Sequence, residues 1–223
     1  MTPNLFSIFD PSSSPLHSLN WLSMILFMLF LPTSFWVSPS KYTLIWNLLT
    51  NMVYKEMKIS LHNLNAPNLI TFISIFIFII LNNFISLFPY IFTNTSHLTM
   101  TMTFSLTFWI SFMIFSWLLN TTHTLIHLTP QGTPYILMPF MVLIETISNL
   151  IRPMTLAIRL TANMIAGHLL ITLMSQTALS LNTLLIMILI TLQCSLMSLE
   201  IAVSFIQSYV FSILSMLYSS ETN

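Results

Sequence analysis

Hydrophobic residues in this chain are gathered into long runs, which short polar or proline-containing segments interrupt. The first run, Leu16 to Val37, carries no charge and ends at Ser38-Pro39-Ser40. A helix of this length can cross the roughly 30 Å hydrocarbon core of a bilayer. Segments 68–92 and 98–119 have the same apolar character and a comparable length. Each of the three runs therefore predicts one membrane-spanning helix.

Segment 41–65 has an amphipathic pattern instead. Apolar residues recur at helical spacing, and asparagine, lysine and histidine occupy another face: Leu44, Ile45, Leu48, Leu49, Met52 and Val53 against Asn47, Asn51, Lys55, Lys58 and His62. This pattern is typical of a helix that lies in the membrane surface. All three lysines of the chain are here, which by the positive-inside rule predicts the matrix- or cytoplasm-like side. The alternative is a short soluble helix packed on a partner.

Two further apolar, helix-compatible segments, 135–177 and 182–218, are too long for one perpendicular crossing. At 1.5 Å per residue they would extend about 64 Å and about 55 Å. Each is either two short spans or one long, strongly tilted helix, and periodicity does not choose between these. We predict an all-α integral membrane protein, one membrane domain over 1–223, with five membrane helices and one surface helix. Its last two helices are expected to be long and tilted, and to pair as a hairpin.

The composition excludes several classes of protein. Only 4% of the residues are charged and 56% are hydrophobic, with a mean hydropathy of +0.88, which rules out a soluble enzyme, a disordered tail or a nucleic-acid binder. The only two glycines, Gly132 and Gly167, cannot build a phosphate-binding loop, and the single Cys194 cannot build a disulfide framework or a Cys-based zinc site. His123 and His127 are four residues apart, but ordinary interface histidines are the favoured interpretation. We expect no metal and no cofactor.

Outside the tails and the lysine segment, the charged residues are Glu145, Arg152, Arg159 and Glu200. Each costs about 2.5–3.5 kcal/mol at the centre of a membrane helix, so each needs a reason to be there. The first three follow one another at intervals of seven, which places them on one helical stripe that Asn163 continues. The sequence offers Arg159 no carboxylate four residues away or level with it in the hairpin. Its partner is therefore expected on another chain.

A second polar group follows from the same two helices. His168 is nine residues after Arg159, on the opposite side of the helix and about 13.5 Å further along its axis. In an antiparallel hairpin with a turn near 180–183, Arg159 is level with Gln207 and His168 is level with Glu200. The sequence thus predicts two polar layers within apolar helices.

The residue types indicate proton transfer. The imidazole of His168 beside Glu200 can exchange protons near neutral pH, whereas the guanidinium of Arg159 stays charged and can act only as a fixed gate. The alternatives are that these residues merely hold helices together, or that the chain is a self-contained transporter or a structural assembly subunit. No internal repeat supports a two-halved transporter.

The same residues resemble a known family. Segment 158–168, IRLTANMIAGH, resembles the signature helix of subunit a of the F-type ATP synthases, and 206–211, IQSYVF, resembles its last helix. The likeness extends over the whole chain and includes Asn82-Asn83 to Pro89-Tyr90, the segment 130–134, PQGTP, and the segment 145–148, ETIS.

This resemblance implies a proton-conducting stator subunit with no catalytic chemistry of its own. Its partners would be a rotating ring of proteolipid subunits, which supplies a carboxylate opposite Arg159, and other membrane and peripheral-stalk subunits of the complex. Two offset half-channels would carry protons. The resemblance assigns His168 and Glu200 to the intermembrane-space side, Gln207 and Asn163 to the region near Arg159, and Glu145 to the matrix side. The histidine on the first long helix and the acid on the second follow the mitochondrial arrangement, and the lack of a targeting peptide suggests synthesis inside mitochondria. The inner mitochondrial membrane is the expected location.

Overall fold

The computed structural model describes residues 5–13, 17–60, 68–129, 134–178 and 182–221, and the regular elements within these ranges are all helical. Six are α-helices: α1 Lys41–Ser60, α2 Leu69–Ser86, α3 Leu98–Leu119, α4 Thr121–Leu128, α5 Met138–Thr177 and α6 Thr183–Glu221. Short 3-10 helices occupy Leu5–Phe9, Leu19–Phe30 and Asn94–Ser96.

Within the described ranges, α2, α3, α5 and α6 are long and apolar enough to cross a membrane. They correspond to four of the five predicted membrane helices, and α3 has the predicted bounds. The helix α2 ends at Ser86 rather than near residue 92, because the chain turns there and Tyr90, after Pro89, has a positive φ of 71°.

The first predicted span, 16–37, differs most from expectation. Its described part forms a 3-10 helix of only 12 residues, Leu19–Phe30, which at about 2.0 Å per residue reaches about 24 Å. Leu31 is extended because the following Pro32 disfavours the helical conformation of the residue before it. The hydroxyl oxygen of Ser23 also lies within hydrogen-bond distance of the carbonyl oxygen of Phe92, at 3.1 Å, and of Oδ1 of Asn94, at 3.0 Å. These contacts tie the short helix to the turn before α3.

The amphipathic segment forms α1, which ends at Ser60; positions 61–65 of the predicted surface helix lie outside the described residues. Its apolar face is largely exposed, including Leu48 and Met52 at 53% and 62% exposure, as expected of a helix that meets lipid or a partner. Met57 on another face is buried against α2.

The two long segments form single, continuous helices. The 40 residues of α5 and the 39 residues of α6 run without a break, so neither is a pair of short spans. Pro153 lies inside α5 and is buried. The turn predicted near 180–183 lies mainly outside the described residues.

The hydrophobic core lies between α2, α5 and α6. Its fully or largely buried members include Phe72 and Ile79 of α2, Leu160 of α5 and Phe211 of α6. On α2, the buried side chains recur every three or four residues, which is the spacing of one helical face. Along the helices, α6 packs mainly on α2, and α5 packs mainly on α3 and α6, which positions the polar residues that the two long helices carry.

Candidate functional site

The polar residues predicted from the sequence lie on two elements. Glu145, Arg159, Asn163 and His168 project from α5, and Glu200 and Gln207 project from α6. The structure brings four of them together in two neighbouring places: His168 and Glu200 line one cavity, and a hydrogen bond joins Asn163 to Gln207. Arg159 and Glu145 belong to neither pair.

His168 and Glu200 line one cavity of about 190 Å³ between α5 and α6. The other polar residues in its wall are Asn163 and Ser204, and the remaining wall is apolar. Liquid water occupies roughly 30 Å³ per molecule, so this space is large enough for several waters beside two proton-exchanging groups. The predicted pairing of His168 with Glu200 thus corresponds to a shared cavity.

Several polar atoms at this cavity have no hydrogen-bond partner. They are Nε2 of His168 and both carboxylate oxygens of Glu200. All three atoms are buried, and none has a partner in the described part of the chain. The backbone of Ser86, at the end of α2, lies close to the His168 side chain. The unpartnered Nε2 of the imidazole remains able to exchange a proton with a water.

The second contact joins Asn163 and Gln207. Nδ2 of Asn163 donates to Oε1 of Gln207 over 3.1 Å, while the buried Nε2 of Gln207 has no partner among the described residues. Gln207 was predicted to lie level with Arg159. The structure instead joins Gln207 to Asn163, one turn further along α5, and leaves Arg159 exposed.

Arg159 lies on an outer face of α5. Its side chain is exposed, and it forms no ion pair or hydrogen bond with any residue that the structure describes. The small residues Ala162 and Ala166, one and two turns further on, are exposed as well. Small side chains allow another helix to approach closely, so this face presents a single cation on a surface suited to close packing.

The N-terminal half of α5 carries Glu145 and Arg152, which precede Arg159 on the same helical stripe and are both half-buried. The Arg152 guanidinium lies over the Tyr218 ring of α6, 5.7 Å from its centroid. Cation–π contacts of this kind contribute about 0.5–2 kcal/mol and here join the two long helices near the end of α6.

Sequence reasoning missed two residues that shape the site. Ser86 lies near His168 because the packing of α2 on α6 and of α6 on α5 brings the end of α2 to this place, and no spacing along the chain shows that. Gly167 faces the side chain of Glu200 closely, and a signal for it existed: it is one of two glycines in the chain and it lies inside an otherwise continuous helical pattern. That signal does not identify Glu200 as the neighbour.

Asp10, which lies outside the predicted membrane spans, has the hydrogen-bond donors that Glu200 lacks among the described residues. The backbone amide and hydroxyl of Ser12 both donate to Oδ1 of Asp10, over 3.0 and 2.8 Å, and lower the pKa of Asp10. This exposed carboxylate is held in its ionised form.

In the described part of the chain, no group of three or more potential metal ligands lies together. The side chains of His123 and His127 are outside what the structure describes.

Four long apolar helices with ionisable groups inside them define an integral membrane protein, and the site they form is suited to proton exchange. The chain matches the family described as "ATP synthase A chain" over residues 17–220. It is similar over its full length to proteins named ATP synthase subunit a: 55% identical to that of Drosophila simulans, 54% to that of Drosophila melanogaster and 53% to that of Anopheles quadrimaculatus, with both chains covered completely in each comparison.

The chain therefore belongs to the ATP synthase A chain family. Together with the four apolar helices, this membership assigns it to the membrane sector of a mitochondrial ATP synthase, a complex that transports protons.

Proposed function

We propose that this chain is the proton-conducting stator subunit of the membrane sector, with two offset half-channels that serve a rotating ring of proteolipid subunits. The observation that carries the proposal is the separation of two polar groups on α5. Arg159 is exposed and unpaired among the described residues, whereas His168, nine residues further along α5, lines a cavity together with Glu200.

The cavity is the proposed end of the entry half-channel. His168 and Glu200 can exchange a proton through water in this cavity, because an imidazole can both accept and donate a proton and the carboxylate has no partner among the described residues that would hold it ionised. A ring carboxylate that receives this proton becomes neutral. The neutral acid can then move into lipid, since burying it is far less costly than burying its anion.

Arg159 is the proposed gate between the half-channels. Its fixed charge favours the ionised form of a ring carboxylate brought opposite it and repels protons that would otherwise cross directly. The exposed alanines beside it give the ring helix room to approach. Released protons leave on the Glu145 side, about 21 Å from Arg159 along the helix axis. Net transport then requires rotation of the ring.

The proposal extends to the setting of the chain. It is placed in the inner mitochondrial membrane, with the lysine-bearing α1 on the matrix side and with other membrane and peripheral-stalk subunits as neighbours. The antiparallel order of the contacts between α5 and α6, with Asn163 on Gln207 and Gly167 on Glu200, supports a hairpin of these helices. The short helix Leu19–Phe30 with its flanking residues is the proposed fifth crossing.

The test is ATP-driven proton uptake into inner-membrane vesicles that carry Arg159→Ala, normalised to the amount of complex assembled on a native gel. We expect an assembled complex with essentially no coupled uptake. Met154→Ala, which truncates another exposed side chain of α5, is the matched control and is expected to keep near-normal uptake. Near-normal uptake in Arg159→Ala would contradict the gate and favour a self-contained pathway or a structural role.

A further inference from the structure

Gly167 of α5 faces the carboxylate of Glu200 at very short range. A methyl group added at Gly167 would lie 2.5 Å from Oε1, 2.7 Å from Cδ and 3.2 Å from Cγ of Glu200. Real side chains do not approach so closely, so the carboxyl group occupies the space that a side chain at position 167 would fill. Gly167 itself is buried.

A glycine at this place is not explained by helix formation. Glycine inside a helix is about 1 kcal/mol less favourable than alanine, and this is the only glycine in the described helices. The residues before and after it, Ala166 and His168, are in regular α-helix as well. The advantage of glycine here is therefore the recess that it leaves on the surface of α5.

The recess matters because nothing else in the described part of the chain holds the carboxylate. Neither oxygen of Glu200 has a hydrogen-bond partner. A carboxylate fixed by donors, as Asp10 is by Ser12, would keep its place if a neighbour changed. The position of the Glu200 carboxylate beside His168 is set instead by the shape of the wall, and Gly167 forms the part of the wall that it touches.

We propose that Gly167 is a positioning residue for proton transfer, because its recess on α5 sets the Glu200 carboxylate beside His168 in the shared cavity. This inference rests on the proposed function, in which Glu200 carries protons. Since the carboxyl group is the far end of a flexible side chain, a methyl group at position 167 displaces it without unfolding the helices. The change reduces transport while the complex still assembles.

The experiment is a double-mutant cycle with Gly167→Ala, Glu200→Asp and the double variant. It measures ATP-driven proton uptake per assembled complex and its pH profile. We expect Gly167→Ala to lower uptake about tenfold or more, in the range that loss of a well-placed acid–base group causes. Aspartate is one methylene shorter, so its carboxyl group is withdrawn by about 1.5 Å, near the space that Cγ now occupies. The double variant is therefore expected to transport better than the product of the two single effects predicts.

Ser212→Thr is the control for an added methyl group. Ser212 is fully buried on α6 and is not part of the cavity wall, so crowding there lowers assembly without changing uptake per complex or its pH profile. Near-normal uptake in Gly167→Ala, or strictly independent effects in the cycle, would overturn the proposal. If Gly167→Ala fails to assemble, the double variant must restore assembly, because the clash is with Glu200; continued failure also overturns it. If the proposed function itself is wrong, Glu200→Gln retains proton uptake, and this result is separate from the outcomes for Gly167→Ala.

Discussion

The helix α6 carries two sets of buried polar residues that differ in how their hydrogen bonds are satisfied. The first set is a stripe of buried serines, each of which donates its hydroxyl to the carbonyl three residues earlier over 2.6–2.9 Å: Ser204, Ser208, Ser212, Ser215 and Ser219. The second set is Glu200 and Gln207, which keep unpartnered polar atoms within the described structure. Both sets lie on one continuous helix.

The difference follows from side-chain length. A serine hydroxyl reaches its own helix backbone, so serine is a small, satisfied packing residue that lets neighbouring helices come close. A carboxylate or a primary amide extends beyond its helix and needs a partner elsewhere. Because nearly all buried polar groups in proteins are paired, the unpaired atoms of Glu200 and Gln207 need an explanation, and the proposed proton path supplies one. A count of polar residues would not separate the two sets.

The largest effect is expected where the unpaired set is changed. Glu200→Gln keeps the shape of the side chain but removes the titratable proton, so proton uptake per assembled complex should fall by about tenfold or more. Vesicle uptake driven by ATP measures it, and Ser208→Ala is the matched change in the paired set. Equal uptake in the two variants would remove the functional distinction between the sets.

An intermediate effect is expected when the serine stripe is overfilled. Ser208 is fully buried, and Ser208→Leu forces several extra carbon atoms into a packed interface, which typically costs about 1–3 kcal/mol. The expected result is a lower melting temperature or a lower yield of the complex. Thermal denaturation measures the first and a native gel measures the second. Uptake per surviving complex should be unchanged; a selective loss of uptake would place the stripe in the proton path.

The smallest effect is expected from removing a satisfied hydroxyl. In Ser212→Ala the lost bond is to the carbonyl of Tyr209, which keeps its own helical hydrogen bond, so stability should change by about 0.5–1 kcal/mol at most. Thermal denaturation of the complex measures the change. A loss as large as that of Ser208→Leu would show that the hydroxyl has a second partner in the assembled complex.

Much of the architecture could be predicted from the sequence, because a long apolar run in a membrane has few alternatives to a helix. The bounds of α3 and the bulk of α2, α5 and α6 were predicted this way. The segment 16–37 was predicted less well, since Pro32 and the contacts of Ser23 with Phe92 and Asn94 favour a short 3-10 helix there. The choice of single long helices over pairs of short spans also required the structure, because both satisfy the same periodicity.

By itself, the sequence determined that this protein belongs in a membrane and which residues are candidates for the proton path, either as proton carriers or, for Arg159, as a fixed charge. Charge is so costly in that environment that Glu145, Arg159, His168 and Glu200 can be identified from residue type and spacing alone. The tertiary structure decided which of these groups meet. It pairs Gln207 with Asn163 rather than Arg159, brings Ser86 to His168, and places Glu200 in the recess of Gly167. The reason is that helical spacing fixes the direction of a side chain along one helix, whereas its neighbours across an interface depend on how closely and at what height two helices pack.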